Sequence, residues 1–109
     1  MTAPATRNWS AWEDRQPITP PEGATLHVSG EVETTNGGIV PVLQPTVPQG
    51  VNPSILMLDL TLQNTGPGTT DINYRSAKYE KNVSQGEHSQ VQILWEGEII
   101  KTLDVDIVQ

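Results

Sequence analysis

His27, Ser29 and Glu31 stand at alternate positions of one short run, and they are the residue types of a nucleophilic triad. Alternate positions of an extended chain project in parallel from one face. The three groups therefore do not converge on a substrate atom, as a triad must. Neither His27 nor His88 has a second His, or a Cys, at metal-ligand spacing. The chain has no Cys, which removes disulfides, thiolate catalysis and zinc–thiolate sites together. Asp104 and Asp106 share one side of an extended run and could contribute two carboxylates to a Ca²⁺ site. Calcium loops usually supply three or more oxygens around a glycine turn. This pair reads instead as a charged strip that keeps an edge strand from pairing with another molecule. The sequence thus nominates no catalytic residue, no metal site and no cofactor.

The aromatic residues are the better binding candidates. Trp9 and Trp12 lie in a proline-rich N-terminal segment beside Glu13-Asp14-Arg15. There they could anchor a partner or stack on a sugar, or plug the open end of a core that contains no Phe. Tyr74, Arg75, Lys78 and Tyr79, with Lys81 following, form a compact basic and aromatic stretch on a chain with only six Lys and Arg residues. That stretch is a candidate docking strip, or an ordinary strand with solvated lysines. Asp59 interrupts the most apolar run. It needs a partner such as Arg75 or Lys78 if its face is covered, and is expected on an open face.

The 109 residues make one domain, with a formal net charge of −7. Such a charge repels phosphate backbones and anionic membranes, so neither nucleic acid nor a membrane is expected as partner. The first residues carry no apolar stretch of signal-peptide type. No run approaches the ~18 apolar residues of a spanning helix. With cysteine absent, these features lead to an expectation of a cytoplasmic protein. Asn8-Trp-Ser and Asn82-Val-Ser fit the glycosylation sequon, which matters only in a secretory pathway.

The elements that must position these residues are strands. Residues 1–23 read as an irregular arm, with Ser10 and Glu13 forming a capping box over one helical turn that Pro17 stops. From residue 24 to 109, six runs alternate apolar and polar residues at period two, broken by Gly, Pro and Asn. The first covers about 25–33, with Leu26, Val28 and Val32 inward and Gly30 leaving an inward gap. Asn36-Gly37 is a strong hairpin signal. It would pair Val32 with Pro41 and put a second strand, 39–45, at an edge, because Pro41 cannot donate to a ladder. The spacing of Pro45, Pro48 and Pro53 favours an extended connection between two sheets. Leu56, Leu58, Leu60 and Leu62 line one face of a third strand that belongs in mid-sheet. A fourth strand, about 70–78, loses its alternation near Ser76, which suggests a bulge. A loop at 82–88 leads to a fifth strand, 89–95.

In the last hairpin, a plain two-residue turn at Glu96-Gly97 would turn Asp104 and Asp106 inward. Burying an unpaired charge costs roughly several kcal/mol. The expectation is therefore a three-residue loop with a bulge and a left-handed Gly97. That parity puts Val91, Ile93, Trp95, Ile99, Leu103, Val105 and Ile107 on the core face, with Lys101 snorkelling at its edge.

Ile55–Gln63 running into Asn64-Thr65-Gly66 resembles the strand-to-turn phrase of bacterial immunoglobulin-like modules, without the Cys–Trp–Cys framework of antibody domains. The expected fold is all-β: an immunoglobulin-like sandwich of about six or seven mostly antiparallel strands with an N-terminal arm. The expected role is a non-enzymatic interaction or structural module. It would bind another protein, or its own copy, through an edge strand or through the arm. Trp9, Trp12, Tyr74, Arg75, Lys78 and Tyr79 are the candidate binding residues. Two alternatives are a carbohydrate-binding module, calcium-assisted, and a small protease inhibitor presenting the Pro45–Pro53 loop.

Overall fold

A computed structural model of the chain describes residues 3–15, 23–66, 68 and 72–108. Among these are eight strands and no helix: β1 (Thr6–Asp14), β2 (Gly23–Thr34), β3 (Ile39–Pro45), β4 (Ile55–Asn64), β5 (Asn73–Ser84), β6 (Gln90–Trp95), β7 (Glu98–Asp104) and β8 (Asp106–Val108). They make two mixed sheets, ordered β5-β2-β1-β8 and β3-β4-β6-β7. The all-β, sandwich-like arrangement follows from the period-two patterning. Leu26, Val28 and Val32 of β2 and Leu56, Leu58 and Leu60 of β4 are buried on the inner faces, with Val91 and Ile93 of β6. Each such side chain contributes roughly 1.5–3 kcal/mol on burial. As expected, β3 lies at an edge and β4 lies inside its sheet.

Residues 6–14 are not an irregular arm. They form β1, which lies between β2 and β8, and Ser10 and Glu13 are strand residues rather than a helix cap. Two features hid this strand. Asn8 has a φ of +57°, and the register with β2 shifts between Arg7 and Ser10, so the alternation is broken by a bulge. Glu13 also occupies an inward position and is 1 % exposed. Its carboxylate accepts hydrogen bonds from Arg15 Nε and from the Gly86 N–H at 2.9 Å, which makes its burial tolerable. The turn at Pro17 lies outside the described residues.

Asn36-Gly37 does not close a hairpin. β2 pairs with β1 and β5, while β3 pairs with β4 in the other sheet. Neither Asn36 nor Gly37 has the positive φ that a two-residue hairpin turn requires. The Asn36 side chain accepts the Gly38 N–H at 2.8 Å. The Gly38 carbonyl accepts both the N–H and the hydroxyl of Thr65, at 2.7 and 2.8 Å. A Cβ on Gly38 would sit 2.0 Å from the Gly66 carbonyl oxygen. The corner is therefore fastened to the end of β4, and the two runs lie in different sheets instead of side by side. The expected bulge at Ser76 is absent as well. β5 pairs with β2 in unbroken register from Asn73 to Ser84, which extends it through residues expected in a loop.

At the last hairpin the inverted parity holds, by a different device. Trp95 pairs with Glu98 across a two-residue turn in which Glu96 and Gly97 have φ of +49° and +83°. The register then shifts between Ile93 and Leu94, so that Ile93 faces Lys101 and Val91 faces Leu103. Leu103 is buried, Val105 and Ile100 pack on the core, and Asp104 and Asp106 are exposed. Ile99 and Ile107, expected on the core face, are exposed at 52 % and 48 %. Ile99 lies on the turn side of the bulge. Ile107 belongs to a short strand at the sheet margin, because the last strand is split. After Val105 the chain leaves β7 and joins the other sheet as β8, parallel to β1.

Candidate functional site

The six residues nominated from sequence do not form one site, because β5 alternates. Arg75 and Tyr79 stand opposite Val32 and Val28, on the core side. Tyr79 packs on the core, and Arg75 Nη2 donates to the Gly37 carbonyl at 3.0 Å. Tyr74 and Lys78 stand opposite Glu33 and Ser29 on the outer face. The tryptophans divide in the same way. Trp9 packs against the core over Gly30, where a Cβ would lie 2.2 Å from its Cε3 atom. The inward gap at Gly30 is thus the space that the indole occupies. Trp12 faces outward and stacks on His27, with ring centroids 5.1 Å apart. With Ser29, Lys78 and Glu80 these rings border a shallow groove of about 160 Å³.

The same outer face accounts for the triad-like residues. His27 Nδ1 lies 3.3 Å from Glu80 Oε1. Glu31 Oε1 accepts from Asn8 Nδ2 at 2.5 Å and Arg7 Nε at 3.3 Å. The Asn8 hydrogen bond, followed by that of Arg7, holds the Glu31 carboxyl below its ordinary value. The Arg7 guanidinium in turn sits 3.8 Å over the Tyr74 ring. Across the sandwich, Asp59 is half-buried and accepts the Thr46 hydroxyl at 2.9 Å, not Arg75 or Lys78. Asp104 accepts from Gln90 at 3.2 Å. Among the described residues, no group of three or more His, Asp or Glu side chains is placed to hold a metal ion.

Two of the four sheet margins, those of β3 and β5, carry features that oppose pairing with another strand. Pro41 and Pro45 of β3 must face away from β4, which removes two donors from that open edge. The Ile39 N–H is already given to the Asn36 carbonyl. On β5 the inward-facing Arg75 and Lys81 act in the same sense. Lys81 Nζ lies 3.4 Å from Glu87 and 3.1 Å from His88 Nε2. Glu87, which also accepts the Ser84 N–H at 2.9 Å, has its carboxyl lowered chiefly by that bond.

Two further regions, outside the six candidate residues, are open to solvent. The first is the connection 46–54. Gln49 clamps it: its amide donates to the carbonyls of Thr46 and Met57 at 2.7 and 2.8 Å and accepts the Met57 N–H at 2.9 Å. Asn52 accepts the N–H and hydroxyl of Ser54. Held on this frame, Val47 and Val51 are 90 % and 105 % exposed. The sequence signal was present, as two apolar residues inside a proline-spaced loop. The second region is a cavity of about 390 Å³ lined by residues 59–62 of β4 and residues 95–97 at the β6–β7 turn. It lies where β4 runs past the end of β6. Trp95 was expected on the core face and does pack there, so nothing in its spacing marked it as a cavity wall.

No family model matches this chain, and no curated protein or solved structure does so either.

Proposed function

We propose that this chain is a non-enzymatic interaction module, an immunoglobulin-like sandwich that binds another protein through its 46–54 loop. One observation carries the reading: a loop cross-braced by Gln49 displays two almost fully exposed valines. Apolar side chains held in water on a fixed frame are expensive to leave uncovered and cheap to dock, because the ordering cost of binding is already met. The blunted margins of β3 and β5 favour a different protein over a second copy joined edge to edge. A photo-crosslinker placed at Val51 of the full chain, expressed in its host cell, should give a discrete heteromeric adduct that Val47→Asp abolishes. Equal adduct yield from a crosslinker at exposed Glu98 would sink the reading.

The Gln49 brace also favours a second reading, a protease inhibitor presenting this loop. A protease selective for small aliphatic residues should then be inhibited while the 46–54 connection survives intact. Prompt cleavage there removes that reading and leaves the first in place.

A further inference from the structure

The ladder between β4 and β3 runs to Ile39–Asn64, whereas the ladder between β4 and β6 stops at Asp59–Leu94. Beyond that rung β6 turns back at Glu96-Gly97. The remaining length of β4 therefore has no strand on that flank among the described residues. The direction of its backbone groups follows from the prolines. Pro41 and Pro45 have no N–H, so the bonds from β3 to β4 come from Val40, Val42 and Gln44. Opposite these stand Gln63, Thr61 and Asp59. Met57 continues that parity, since its carbonyl accepts the Thr46 N–H at 3.0 Å. The alternate residues consequently point toward β6: the Leu60 N–H meets the Leu94 carbonyl at the last rung, and the Leu60 C=O with the N–H and C=O of Leu62 face the lane that β6 vacates. The 390 Å³ cavity lies along this lane, within the size range of ligand sites.

We propose that this notch takes up an extended segment of a partner protein as an added strand, one that alternates apolar and basic side chains. The segment hydrogen-bonds to the Leu60–Leu62 backbone in line with β6. Its side chains alternate between the two faces of the sheet. Those turned inward enter the cavity beside Leu60, Leu62 and Trp95. Those turned outward meet Asp59 and Thr61. The Asp59 carboxylate, no cation among the described lining residues, and a net charge of −7 select Lys or Arg at the outward positions. This site is separate from the 46–54 loop, so loss of the Val51 crosslink would leave it standing.

The test uses the full chain, amide-resolved NMR and a short capped peptide alternating Val and Lys. Shifts should concentrate at the Thr61 and Leu62 amides and the Trp95 indole. Thr61→Lys, an exposed substitution, should weaken binding about tenfold by like-charge repulsion, and Asp59→Asn about threefold. A Val/Glu peptide, and a Val/Lys peptide N-methylated at alternate residues, should bind at least about tenfold more weakly than the parent. Affinity of either control peptide equal to that of the parent would overturn the proposal, as would shifts confined to the 46–54 loop. Shifts at the same amides that grow with protein concentration, without peptide, would give the notch to a second copy and overturn it too.

Discussion

β2 and β4 are both inner strands, yet their backbones are used differently. β2 is paired with β5 over its whole length, from Gly23 to Thr34, and with β1 on its other flank from Thr25 to Val32 apart from the bulge. β4 is paired to its end on one flank and only to Asp59 on the other. The cause is the length of the neighbours. β5 has twelve residues and runs as far as β2, whereas β6 has six and is turned back by Glu96-Gly97. One strand has neighbours along most of both flanks. The other, among the described residues, has none on one flank beyond Asp59, beside an apolar wall. Regions of the second kind open more easily and are where partners are met.

The contrast can be broken most directly by truncating one leucine on each strand. Leu26→Ala in β2 should cost about 3 kcal/mol, as expected for a fully enclosed leucine. Leu62→Ala, half-buried at the notch, should cost about 1 kcal/mol or less. Equal losses in chemical denaturation would erase the distinction. Gly30→Val tests the packing over β2. The new side chain collides with the Trp9 indole, and thermal melts should register a loss of about 2 kcal/mol. An unchanged melting temperature would mean that Trp9 moves aside freely. Glu13→Gln keeps an acceptor for Gly86 but removes the charge that Arg15 faces, and should cost about 1 kcal/mol. Stabilisation by that substitution would show that burying the carboxylate is a net burden.

The smallest effect is on pH. Glu31 and Glu87 have carboxyl groups held below the ordinary 4.5. Their contribution is therefore complete above that pH and is lost as pH falls through the lowered values. Both groups are largely solvated, so the slope should be shallow. NMR titration of the two carboxyls at or above 4.5 would contradict it.

The inner faces were legible in the sequence because aliphatic residues at period two have few alternatives. Leu26, Val28, Leu56 and Leu58 are buried where their spacing puts them. Partnership was less legible. Asn36-Gly37 has the stronger local preference for a hairpin, yet Glu96-Gly97 makes one and Asn36-Gly37 does not. A turn dipeptide sets only the local dihedrals. The sheet that receives the next strand is set by what that strand covers, here β4. β1 escaped notice because a bulge and a buried, ion-paired Glu13 each break the pattern on which recognition depends. The candidate site was legible only as a proline-spaced loop. The notch arises from where two distant strands end relative to each other, and no local pattern encodes that.

The passage from β7 to β8 has a mechanical meaning. A single residue, Val105, separates them, and its N–H is given to the Ser89 carbonyl at 3.0 Å. The run from Glu98 to Val108 thus binds the two layers along one side, like the spine of a book. On the opposite side, the inward Arg75 of β5 reaches the Gly37 carbonyl in the connection that leads to β3, a clasp made of one hydrogen bond rather than of a continuous strand.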